Sequence, residues 1–157
     1  MVRIDVTYQG GLRCEATHEP SGQTLITDAP VDNHGKGESF SPTDLVATAL
    51  GTCILTIMGI VAEREKIDLT SLRITVQKEM SAEPPRRIAK LITRIVMPKG
   101  LTEPQKVKLE KAAHRCPVHQ TFRARWTCPS SSCTRSRLLK EAHLRRCRTP
   151  AALRRTR

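Results

Sequence analysis

The sequence predicts an α+β fold: an N-terminal antiparallel sheet, two central helices, a second small sheet and an atypical basic C-terminal tail. Three observations predict it. Short alternating apolar–polar runs punctuated by glycine open the chain. A long apolar stretch with helix-start signals follows over 41–66, and a second pair of alternating runs over 72–97 precedes another capped helical stretch. A chain of 157 residues is long enough for one domain with a sizeable core, and with aromatics at 3 % that core has to come from Leu, Ile, Val and Ala.

The elements follow in order. Residues 2–8 (VRIDVTY) alternate apolar and polar, and Gly10-Gly11 offers a tight turn into a second strand over 12–18. Pro20-Ser21-Gly22 turns the chain again, and Thr24 to Thr27 form a short third strand. Residues 28–40 (DAPVDNHGKGESF) are a long loop of the kind that often carries function. Ser41, Pro42 and Asp44 then mark a helix start, with Ser41 as N-cap, Pro42 at the first helical position and Ser-x-x-Asp as a near capping box. Apolar residues recur at Leu45, Val46, Ala49, Leu50, Cys53, Ile54, Ile57, Ile60 and Val61, a stripe wide enough to predict burial of most of the helix. Leu72, Ile74 and Val76 alternate with polar neighbours as a strand with one solvated face. Glu83-Pro84-Pro85 turns the chain, and 88–97 returns as its antiparallel partner. Thr102, Glu103, Pro104 and Gln105 start a second helix, which Pro117 is expected to stop just after Cys116.

Charge divides the chain in two. Residues 123–157 hold ten Arg and one Lys against one Glu, a net of +10, whereas residues 1–122 carry only +2 of the total +12. The body, 1–122, is therefore one nearly neutral domain. The Arg-, Ser- and Cys-rich tail, 123–157, lacks the periodicity of a packed element, is not expected to join the core, and has the abrupt change of grammar that a shifted reading frame would produce. A nucleic-acid-binding face would spread its charge over folded structure and interleave aromatics, and the tail has one, Trp126, so nucleic acid is not an expected partner. The opening residues lack the apolar block of a signal peptide, and no apolar run is expected to reach the roughly 18 uncharged residues of a membrane span. The expected setting is the cytoplasm, where six Cys are free thiols, metal ligands or redox groups rather than structural bridges.

Cys53, midway along the apolar helix, is by itself an ordinary small core residue. Its context says more. The stretches "SPTDLVATALGTC" and "CPVHQTF", with the "DNHGKGESFSP" loop and "PPRRIAKLITRIVMPKGLTEPQ", resemble the OsmC/Ohr family of thiol peroxidases over residues 1–122, nearest to its OsmC-like branch. The resemblance implies a cysteine-based, peroxiredoxin-like peroxidase without a cofactor, acting on hydrogen peroxide or organic hydroperoxides. It implies that Cys53 is the peroxidatic thiolate, that Cys116 resolves its sulfenic acid as a disulfide, and that a dithiol reductant restores both. It also implies an intertwined homodimer with sites at the interface. A thiol among apolar residues needs a nearby cation to ionise, and Cys53 is too far along its helix for the N-terminal dipole to serve. In Ohr-type members an Arg near the first β-turn serves, held by a Glu at the start of the Cys helix. Arg13 matches the Arg. Where the Glu would stand are Thr43 and Asp44, and Asp44 also fits a plain capping role, which leaves an Ohr-like preference for organic hydroperoxides open.

His119 reads as structural rather than as a metal ligand, and Cys14, Cys128, Cys133 and Cys147 are expected to be dispensable for peroxide chemistry. Two rivals remain. One is a zinc-dependent nucleic-acid-binding protein using Cys116, His119, Cys128, Cys133, His143 and Cys147, whose spacings match no common finger. The other is an OsmC-like fold without activity.

Overall fold

The computed structural model describes residues 1–123; the expectations placed on the tail from residue 124 onward lie outside the described residues. The order is β1 (Ile4–Gly10), β2 (Arg13–His18), β3 (Gln23–Asp28), a 3₁₀ turn (Val31–Asn33), α1 (Pro42–Glu65), β4 (Arg73–Met80), β5 (Ile88–Val96), α2 (Glu103–His114) and α3 (Pro117–Arg123). The α+β architecture expected from the sequence is present, with two separate antiparallel sheets, β1-β2-β3 and β4-β5. A short third helix is added to it.

The first hairpin turns one residue later than Gly10-Gly11 suggests. Gly11 and Leu12 occupy the turn with φ of 57° and 64°, and the register shifts between Tyr8 and Gly10. Two successive positive φ values are what the right-handed twist of a two-residue hairpin requires, so Leu12 takes a conformation that a glycine holds more cheaply.

α1 begins as expected. The Ser41 backbone N–H donates to Asp44 Oδ2 at 2.8 Å and the Asp44 N–H to Ser41 Oγ at 3.2 Å, a full capping box with Pro42 behind it. Such a cap stabilises a helix by about 1 kcal/mol. The buried face, however, runs through Ala47, Leu50, Gly51, Ile54, Met58 and Ala62, while Ala49 and Ile60, expected in the core, are exposed. The helix is apolar nearly all round, so its composition fixes no single face. This also corrects the expectation about membrane-length runs: α1 is long and apolar enough to cross a membrane. In the fold it packs instead against β4, α2 and α3. Gly51 permits the closest approach to the sheet, because a Cβ there would stand 3.1 Å from Val76 Cγ2.

The core lies between α1, the inner face of β5 and α2. Met58 and Leu109 are fully buried, with Ile88, Leu91, Ile95, Ala113 and Cys116 around them. α2 starts with its own capping box, Thr102 with Gln105, and ends at His114 rather than at Cys116. Pro117 does not merely stop a helix: it occupies the first position of α3, where its missing N–H and fixed φ cost nothing. Among the described residues, the N-terminal sheet makes no extended contact with any of these elements.

Candidate active site

Cys53 and Cys116 are brought together. Cys53 is half-buried three turns into α1, and Cys116 is wholly buried in the two-residue elbow between α2 and α3. Both are free thiols, and the Cys116 S–H lies within hydrogen-bonding reach of Cys53. Burial, and secondarily the Cys53 sulfur, push the Cys116 thiol up to about 11, against the partial relief of the His119 and Val118 backbone N–H groups. The His119 N–H donates to Cys116 Sγ at 3.5 Å. The rings of His114 and His119 sit 5.8 Å apart on either side of the elbow.

Arg13 stands apart from this pair, on β2. It faces Asp28 across the β2–β3 ladder, with 3.7 Å between the guanidinium and Asp28 Oδ2, and it donates to Glu38 in the loop before α1. Asp28 is fully buried, and its Oδ2 also accepts the Glu38 N–H at 3.0 Å, which fixes the loop beneath the guanidinium. The acid that holds Arg13 is thus Glu38, three residues ahead of the N-cap. Neither Thr43 nor Asp44 does so, and nothing in the spacing along the chain marks Glu38 for the part.

Asp44 instead receives Lys78 from β4, whose Nζ donates to Asp44 Oδ1 at 2.6 Å and to Thr43 Oγ1 at 2.8 Å. Burial raises the Asp44 carboxyl, but the bonds from Lys78 and Ser41 outweigh it and leave the group below its ordinary value. Lys78 also lines an open groove of about 860 Å³, walled by α1, β4 and residues 37–40. Gly51, Thr52 and Leu55 line it from α1, but Cys53 does not.

Cys14 lies half-buried on β2 of the N-terminal sheet, whereas Cys53 is on α1 and Cys116 in the elbow after α2. Among the described residues no group of three or more His, Cys, Asp or Glu could hold a metal. Four ligands of the zinc reading, Cys128, Cys133, His143 and Cys147, lie outside those residues.

Comparison with known proteins places this geometry. The OsmC-like protein family matches residues 35–129, a span that includes both thiols. A crystal structure from Psychrobacter arcticus 273-4, provisionally named an osmotic stress induced and detoxification response protein, is 41 % identical, with a TM-score of 0.78 over 84 % of this chain and 96 % of its own. The organic hydroperoxide resistance protein OsmC of Legionella pneumophila shares the fold at 20 % identity, with a TM-score of 0.65 over 84 % of this chain and 96 % of its own. So does an OsmC-like protein from Mycoplasma pneumoniae, at 15 % identity and a TM-score of 0.71 over 84 % and 95 %. No curated protein matches. With the family match spanning well over half of the chain and a 41 % identical structure superposing on it, this chain belongs to the OsmC-like protein family.

Proposed function

We propose that this chain is a cysteine-based thiol peroxidase, with Cys53 as the attacking thiol and Cys116 as the resolving one. The observation that carries the reading is the pair of free thiols in contact, one half-exposed and one buried. The Cys53 thiolate attacks the peroxide O–O bond. The departing oxygen takes a proton and leaves as water or an alcohol, and Cys53 becomes a sulfenic acid. Cys116 sulfur then attacks Cys53 sulfur, and the hydroxyl leaves with the Cys116 proton as water. A dithiol reductant reduces the resulting disulfide and is itself oxidised to one. The raised Cys116 thiol suits this division of labour, because only a thiolate competes for peroxide and Cys116 keeps its proton at neutral pH. Arg13, held by Glu38 and Asp28, is the candidate cation.

A homodimer is part of the same reading. Ile4, Val6 and Tyr8 share one face of the N-terminal sheet with Ala16 and Leu25, and the β1 residues are 61 %, 64 % and 63 % exposed. Exposed apolar side chains clustered on one face in this way mark a protein–protein interaction surface. On α1, Thr48, Thr52 and Thr56 each bond the carbonyl four residues back, which turns their methyls outward beside Ala49 and Ile60. The sheet of one copy laid on this helix face of another covers both. Free thiols of this kind suit the reducing cytoplasm. Turnover of hydrogen peroxide and of an organic hydroperoxide, measured side by side with a dithiol reductant, tests the activity; no consumption of either favours an inactive OsmC-like fold.

A further inference from the structure

Cys116 has a second task that its redox role interrupts. It stands immediately before Pro117 as the N-cap of α3: its carbonyl accepts the Gln120 N–H at 2.9 Å and its sulfur accepts the His119 N–H at 3.5 Å. The sulfur takes the place of the serine or aspartate oxygen of an ordinary cap. The same atom is the one that must bond to Cys53. Once in a disulfide, that sulfur has its position fixed by the Cys53 bond instead of by the helix.

We propose that oxidation uncaps α3: forming the Cys53–Cys116 disulfide withdraws the sulfur from the His119 amide and loosens the first turn of α3. This rests on the peroxidase reading above. It also answers a difficulty within that reading. Cys116 is fully buried, so the Cys116 sulfur of a disulfide formed there is shielded from an external thiol. α3 packs on α1 and turns Val118 into the core cluster beside that position. Loosening α3 in the oxidised form alone opens the disulfide to its dithiol reductant, whose thiolate attacks one sulfur and whose second thiol completes the exchange, releasing two protein thiols. Reduction restores the cap and closes the site.

Outside the elbow α3 is also tethered to α2, by the Gln120 side-chain amide donating to the His114 carbonyl at 2.5 Å. The expected change is therefore a loosened first turn on a retained hinge, not a detached helix.

The test is hydrogen exchange read by mass spectrometry on the full chain, reduced and after one equivalent of hydrogen peroxide, with the disulfide mapped in the same samples. The proposal predicts exchange at least tenfold faster over 118–120 in the oxidised form, with Glu103–His114 unchanged. In the reduced state, Cys116→Ala should reproduce the faster exchange and Cys116→Ser, which keeps a capping oxygen, should not. A mapped disulfide with unchanged exchange over 118–120 overturns this inference and leaves the peroxidase reading standing. Failure to form the disulfide at all defeats both.

Discussion

β4–β5 turns Ile88, Leu91 and Ile95 onto α1 and leaves Arg73, Lys90 and Arg94 in water, whereas β1–β3 leaves an apolar face uncovered and makes no extended contact with the other described elements of its own chain. The residues of the two sheets alternate equally well. What differs is what each sheet meets: β4–β5 meets a helix nearby in the sequence, and the apolar face of β1–β3 meets no such element in the same copy. Good local patterning thus reports that a face is apolar, not which molecule covers it. The thiol pair sits with the self-sufficient half, and Arg13 sits with the dependent half.

Substitutions can separate the halves. The largest effect is expected from Leu109→Ala, at 0 % exposure in the core of the covered half: a loss of about 2–5 kcal/mol in denaturant unfolding, with the monomer fraction in sedimentation unchanged. Val6→Thr on the uncovered sheet should cost about 1–2 kcal/mol, and only of association. Sedimentation would then show an increased monomer fraction, and the melting temperature would fall most at low protein concentration. A concentration-independent Val6→Thr effect as large as that of Leu109→Ala would erase the distinction.

A pH series sharpens it further. In the folded chain the Cys116 thiol ionises near 11, above its ordinary value of 9.0, so the folded state holds that proton more tightly than the unfolded chain does. Its contribution to stability is therefore complete below about pH 9 and is lost as pH rises toward 11. Reduced protein should weaken across that window, and Cys116→Ser should weaken less. The smallest effect belongs to the junction between the halves: Ser41→Ala, which removes the α1 cap, should cost about 1 kcal/mol by thermal unfolding.

Signals confined to a few neighbouring residues are legible in the amino-acid sequence itself. The three-stranded meander, the Ser41–Asp44 cap, the β4–β5 pair and the Thr102–Gln105 cap all follow from local turn and cap chemistry. The buried face of α1 does not, because an almost wholly apolar helix carries little periodic information. Contact with Val76 and the core, not composition, selects Ala47 and Met58 over Ala49 and Ile60. Pro117 reads as a stop because proline ends one helix and begins another with the same chemistry. At the site, the Cys53–Cys116 pair is recognisable from its motifs. The partners Glu38 for Arg13 and Lys78 for Asp44 are not, since they lie 25 and 34 residues away in sequence and only the fold joins them.

The central claim is that Cys53 and Cys116 form one redox centre. Its most direct measurement is peptide mapping of wild-type, Cys53→Ser and Cys116→Ser protein after stoichiometric hydrogen peroxide, with peroxide consumption followed in the same samples. The account predicts a Cys53–Cys116 disulfide in the wild type, a single turnover ending in a Cys53 sulfenic acid in Cys116→Ser, and a loss of consumption of at least about a thousandfold in Cys53→Ser, as expected for removal of a nucleophile. A Cys53→Ser protein that consumes peroxide at the wild-type rate, or a wild type whose oxidised thiol is Cys14, would contradict it.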